Sequence, residues 1–192
     1  MKSGKAPFTY EAAEQMGCRC QECPLRSDGQ GPVPPEGPKE ASFGVWAEMP
    51  TRNELAAGRP LVGASGVLYN EILKEVGIKR GEIWTSKVLL CQAPIDLPRY
   101  LANIRKNNAA EKRLARREKR KPNLVQDPIS CCWPRVEREL ERIWRNGIKQ
   151  GVNPVALLLG GTALQAVFKR KMAIMKWRGS ILKLHLKGLK NA

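Results

Sequence analysis

Residues 42–66, SFGVWAEMPTRNELAAGRPLVGASG, fall into two unlike halves. Ser42 to Met49 is an apolar run with the look of a buried strand. Pro50 to Gly66 is punctuated by Pro50, Gly58, Pro60, Gly63 and Gly66, and reads as a loop of the kind that carries function. GVLYNEILKEVG, residues 66–77, then carries Val67, Leu68, Ile72, Leu73 and Val76 on an expected helical face and stops at Gly77. The same order repeats downstream. EIWTSKVLLC (82–91) reads as a second strand, and CWPRVERELERIWRNG (132–147) as an amphipathic helix with Val136, Leu140, Ile143 and Trp144 on one side. NPVALLLGG (153–161) is wholly apolar and predicts a third strand buried on both faces, and TALQAVFKR (162–170) is helical again. Strands alternating with helices predict an α/β fold, a three-layer α/β/α sandwich around a small, mainly parallel central sheet. Ligands of such sheets bind beyond the carboxyl ends of the strands, so the loops after Met49, Leu90 and Leu159 belong to one functional edge.

The chain has 34 Lys and Arg against 18 Asp and Glu, a formal charge of +16, and a sequence pI near 10.0. Clustered cations displace the counterions condensed on nucleic acid, so the expected partner is a polyanion, DNA first. Seventeen residues, 105–121, hold nine Lys or Arg and two Glu. Arg113, Arg116, Arg117, Lys119 and Arg120 are the candidate phosphate contacts of this run, which is either a solvated helix or an arm that grips nucleic acid. Residues 26–41 are dense in Pro and Gly and read as a covering loop. The N-terminus has no apolar signal region, and NPVALLLGGTALQAVF is too short and broken to span a bilayer. These features predict one domain of 192 residues, monomeric, cytoplasmic and without a membrane partner.

Six cysteines in a reducing compartment point to metal binding, catalysis or burial instead of disulfides. CRCQEC contains a C-x-x-C at Cys20 and Cys23, a spacing that lets two thiolates converge. Cys91, at the end of an apolar run, is either a small buried thiol or a ligand.

The chain resembles the iron–sulfur uracil-DNA glycosylases, family 4 of that superfamily. AEMPTRNELAAGRPLVGASG (47–66) follows that family's first motif, G-E-x-P-G-x-x-E-D and then G-R-P-F-V-G-x-x-G, with Glu48, Pro50, Glu54, Gly58, Arg59, Pro60, Val62, Gly63 and Gly66 matching. CQECPL matches C-x-x-C-x-L, Cys91 ends the equivalent of T-N-V-V-K-C, and CWPRVEREL matches C-x-P-x-L-x-x-x-L with Val136 at the first Leu. MAIMKWRGS resembles a later I-x-x-x-R-G. The resemblance runs over roughly residues 18–189 in one order. It implies a [4Fe–4S] cluster held by Cys20, Cys23, Cys91 and Cys132, with zinc as the alternative for four thiolates and Cys131 as the alternative to Cys132. It also implies hydrolysis of an N-glycosidic bond in DNA, single- or double-stranded, after the nucleotide is flipped out of the stack. Glu48 and Pro50 would shape the pocket floor, and Arg178 with Gly179 would lie near the DNA.

The chain departs from the family at four points. Leu61 stands where the family stacks a Phe on the base, and Lys87 where it reads the uracil edge with Asn. An ammonium donates but cannot accept, so Lys87 is expected to meet an acceptor on nucleic acid or to reach solvent at the pocket mouth. A basic insertion at about 103–127 lies within the 40 residues between Cys91 and Cys132. The family's H-P-S motif, whose His stabilises the departing base, is not found, and His185 in LKLHLKGLKNA reads as a surface residue. A truncated or incomplete copy is the expectation, with a non-catalytic iron–sulfur nucleic-acid-binding protein as the rival to an active glycosylase.

Overall fold

The computed structural model describes residues 8–184. In chain order its helices are α1 (Tyr10–Gln15), α2 (Leu25–Asp28), α3 (Arg52–Ala57), α4 (Ala64–Glu75), α5 (Leu97–Arg117), α6 (Pro128–Gln150), α7 (Gly161–Phe168) and α8 (Ile174–Trp177). Three short strands, β1 (Phe43–Ala47), β2 (Trp84–Lys87) and β3 (Val155–Leu158), form an all-parallel sheet in the order β2-β1-β3.

Alternation along β1 decides the layering. Val45 and Ala47 pack with Leu61, Tyr69, Leu73 and Ile83 on the α4 side. Trp46 points the other way and packs with Val136, Leu140 and Ile143 of α6 and Val167 of α7. Both faces of the central strand are therefore covered by helices, as the α/β sandwich expectation required. Gly44 serves this arrangement, since a Cβ there would lie 2.3 Å from the Trp46 ring that crosses it. Trp46 Nε1 donates to the Glu139 carboxylate at 2.8 Å, which satisfies the one polar atom of a fully buried indole. Beyond Lys87 the chain stays in step with β1, Val88 N–H donating to the Ala47 carbonyl at 2.7 Å and Leu89 N–H to that of Glu48 at 3.0 Å. The 26–41 segment lies along the outer edge of β2, with Glu36 and Thr85 exchanging backbone bonds of 2.9 and 2.7 Å and Val33 N–H reaching Leu90.

Two sequence expectations are corrected. On α4, Val67, Leu68, Ile72 and Val76 are 48% to 58% exposed, and the buried line is Gly66, Tyr69 and Leu73. The helix is rotated by its first turn: Gly66 sits so close to the Leu61 carbonyl that an added Cβ would fall 2.1 Å from it. Tyr69 completes the rotation by turning its hydroxyl to Thr85 Oγ1 at 3.3 Å. The second correction concerns β3, an edge strand of the sheet among the described residues, where Val155 and Leu157 are 47% and 40% exposed. They pair in register with Phe43 and Val45, and α4 covers Val45 without reaching across to β3.

Candidate functional site

Two groups of side chains meet at the carboxyl end of the sheet. The first surrounds the loop between β1 and α4. Thr51 starts α3 as its N-cap, and Glu54, three residues on, reaches back to the Thr51 amide at 2.6 Å. The same carboxylate accepts the Leu61 N–H and the Lys87 ammonium, the latter at 2.8 Å. Lys87 is 4% exposed and Glu54 fully buried. The expectation that Lys87 meets nucleic acid or solvent is thereby corrected: its acceptor is Glu54, supplied from within the loop. Burial pushes the Glu54 carboxyl up, but the Lys87 hydrogen bond and charge and the Thr51 and Leu61 amides outweigh it and hold the group below its usual range.

Leu61 has a backbone φ of 49°, the left-handed region that costs a residue with a Cβ about 1–2 kcal/mol. Bonds on both sides hold it there. Its N–H goes to Glu54, and its carbonyl accepts from Arg80 at 2.7 Å. Arg80 also binds the Pro60 carbonyl at 2.6 Å and Asn70 Oδ1 at 3.0 Å, and pairs with Glu36, which in turn holds Arg59 at 2.8 Å. The G-R-P-L-V-G loop is thus fixed through Arg59, Pro60 and both backbone groups of Leu61. Glu48, next after β1, accepts a hydrogen bond from the Thr162 hydroxyl in the first turn of α7, and Pro50 is buried beside it. Glu48, Pro50, Leu61 and Lys87 therefore gather at the ends of β1 and β2. Arg178, exposed after α8, stands on another element, and His185 lies outside the described residues.

The second group is a cavity lined by all six cysteines, Cys18, Cys20, Cys23, Cys91, Cys131 and Cys132. The segment from α1 to α2 supplies three of them, the chain after β2 one, and the first turn of α6 two. Burial, with Cys132 and Cys20 nearby, pushes the Cys91 thiol up to about 12, and burial lifts Cys20 to about 11. Cys132 is pulled down to about 6 by a hydrogen bond with Cys18 and by the charge of Arg135, while Cys18 rises. Cys131 and Cys23 divide in the same way, Cys131 down and Cys23 up. Among the described residues no three His, Cys, Asp or Glu side chains converge as they would on a single metal ion. Instead Cys18 meets Cys132 and Cys23 meets Cys131 along the cavity wall.

Sequence reading missed the core of this region. Arg135, fully buried, donates to Ser86 Oγ at 2.8 Å, to the Glu139 carboxylate at 2.9 and 3.0 Å, and to the carbonyls of Lys87 and Val88 at 2.7 and 2.8 Å. The spacing of Arg135 and Glu139 was visible, but so were several other charged residues of RVERELER.

The basic run is the distal half of α5 and the turn after it. Arg113, Arg116, Arg117 and Lys119 are exposed. Arg120 is engaged by Glu111 and Glu118, each at 2.6 Å, and Asn108 exchanges two bonds with Val125, so the segment folds back on itself. The proximal half of α5 packs Leu97, Tyr100 and Ile104 into the cluster that contains Cys20, Cys91 and Cys132.

The sequence profile described as "Uracil DNA glycosylase superfamily" matches residues 34–188. The chain belongs to this superfamily. Relatives include the Type-4 uracil-DNA glycosylase of Pyrobaculum aerophilum, 37% identical over 75 residues, which are 39% of this chain and 38% of the relative. That of Sulfurisphaera tokodaii is 30% identical over 136 residues, 70% of this chain and 50% of the relative. That of Thermotoga maritima is 34% identical over 76 residues, 40% of each chain. The matches thus span half or less of the length of these relatives. Superfamily membership agrees with the parallel three-stranded sheet and its helical layers. No helix among the described residues is long and apolar enough to cross a membrane.

Proposed function

We propose that this uracil-DNA glycosylase superfamily member binds DNA and hydrolyses the N-glycosidic bond of uracil or another aberrant base, as a single domain acting as a monomer inside the cell. The observation that carries the reading is the retained G-R-P-L-V-G loop, held at Leu61 by Glu54 and Arg80 beside Glu48. A flipped base would enter at the carboxyl ends of β1 and β2. Water adds to C1′ of the sugar as the bond from C1′ to the base nitrogen breaks; the bonding pair leaves with the base, which takes up the proton the water gives up. Glu48, oriented by Thr162, is the carboxylate assigned to that chemistry. Arg113, Arg116, Arg117 and Lys119 would grip phosphates, with Arg178 near the DNA. Arg120, already paired internally, would shape the arm.

The cysteine cavity fits a [4Fe–4S] cluster in its donors: six thiols from three chain segments line it, soft ligands of the kind such clusters take. Cys20, Cys23, Cys91 and Cys132 would hold it. The cluster would supply cross-linking of three chain segments and no step of hydrolysis. Anaerobically purified protein should then be brown with about four iron and four sulfide per chain. Cys91→Ser should bleach it, and stoichiometric zinc without sulfide would refute the assignment.

The Lys87–Glu54 pair favours a second reading, a DNA-binding member without uracil excision, because the position that would read the base edge is filled by a neutralised ion pair. Excision of uracil from single- and double-stranded DNA separates the two. The test compares the wild type with Lys87→Asn and with Lys87→Asn/Glu54→Gln, which restores an uncharged amide without stranding Glu54. Efficient excision by the wild type with no gain in either variant removes Lys87 from base reading; excision only in the double variant makes the pair the block.

A further inference from the structure

Arg135 is the one fully buried arginine among the described residues, and its bonding is lopsided. Both terminal nitrogens are filled by five acceptor oxygens from Ser86, Lys87, Val88 and Glu139. The third donor, Nε–H, is buried and has no hydrogen-bond partner. A buried unmatched donor is costly unless something not yet present accepts from it. Arg135 stands one helical turn after Cys132, on the same side of α6. It therefore lies between the cysteine cavity and the end of β2.

We propose that Arg135 is a positioning residue for the group in the cysteine cavity: its Nε–H, unpartnered without that group, donates to a sulfur of the group once bound, while its terminal nitrogens tie this turn of α6 to the carbonyls of Lys87 and Val88. The inference rests on the cluster reading above. A [4Fe–4S] core with four thiolates carries net negative charge, and burying it calls for a nearby cation and N–H donors. Glu139 balances part of the arginine charge but leaves Nε free for sulfur.

The test measures the reduction potential and EPR spectrum of the reduced cluster in the wild type, in Arg135→Lys and in Arg135→Gln/Glu139→Gln. Arg135→Lys keeps the charge but loses the Nε–H, and the double variant removes both members of the ion pair so that neither is stranded. Loss of an N–H donor or cation near a cluster disfavours the reduced state. Both variants should therefore have more negative potentials and shifted g values at unchanged iron and sulfide content. Loaded variants with wild-type potential and spectrum overturn the inference alone. A wild-type chain without iron and sulfide overturns the cluster reading and this inference with it. Should the variants fail to fold, Arg19→Lys/Arg26→Lys protein labelled with ¹⁵N-arginine retains Arg135 while removing the two arginines that line the cavity. Pulsed EPR of its reduced cluster should resolve an arginine nitrogen coupling, and its absence overturns the assignment.

Discussion

Lys87 is the residue at which the strand pattern and the loop chemistry meet. Its place in β2 directs it into the protein, and Glu54 is delivered to it by the first turn of α3. Removing one partner of a buried pair strands the other, at a cost of about 3–5 kcal/mol. Glu54→Gln should lose about that much in urea denaturation at neutral pH, and Lys87→Met/Glu54→Gln less than the single change. The pH dependence follows from the lowered Glu54 carboxyl. A carboxyl lower in the folded than in the unfolded chain stabilises fully above the unfolded value, about 4.3, and loses that contribution as pH falls through the folded one. The advantage of the wild type over the double variant should therefore shrink as pH drops below about 4. A difference independent of pH would mean that Glu54 does not ionise in the folded state.

Among the elements, α4 and α5 present two different problems of exposure. On α4 the apolar residues outnumber those the core uses, so the helical period alone could not give the rotation; the Gly66–Leu61 approach does. Leu73→Ala should cost about 2–5 kcal/mol, as for a core leucine. Leu68→Glu, on the exposed side, should change stability by about 0.5 kcal/mol or less. Equal losses would place both faces in the core. On α5 the sequence marked the charge but not which charges are already matched. Changing Arg113, Arg116, Arg117 and Lys119 together to Gln should lower the log–log salt slope of DNA binding by roughly 0.7–0.9 for each phosphate no longer neutralised. Arg120→Gln alone should leave the slope unchanged, since Glu111 and Glu118 occupy that guanidinium. The strands were readable as short apolar runs and α6 from Val136, Leu140 and Ile143, because periodicity reports burial directly. The exposed side of β3 was not, because an apolar run does not say how far a covering helix extends.

Across the whole molecule, the cysteines bring together chain segments that share little else. The cavity draws on Tyr10 to Arg26, on Leu90 and Cys91, and on the start of α6, and α5 packs its proximal half against the same cluster. Spacing marked Cys20 and Cys23 as partners, but no spacing could bring Cys91 to Cys132 across an intervening helix of 21 residues. Resemblance to a family supplied that link, and the fold brings all six thiols to one space. The sheet depends on a different set of neighbours, Trp46 against α6 and Val45 against α4. Binding energy of a group held only by the folded chain acts on the segments that hold it, and local opening elsewhere is set by local packing. Loss of the proposed cluster by chelation under oxidising conditions should therefore loosen one part of the molecule first. Hydrogen exchange should quicken at residues 10–26, at Leu90 and Cys91, and in the first turn of α6. The amides of β1 and of α6 around Leu140 and Ile143 should keep their protection. Uniform acceleration across the sheet would mean that the cluster holds the entire fold; no change at residues 10–26 would mean that this segment is anchored by its apolar packing alone.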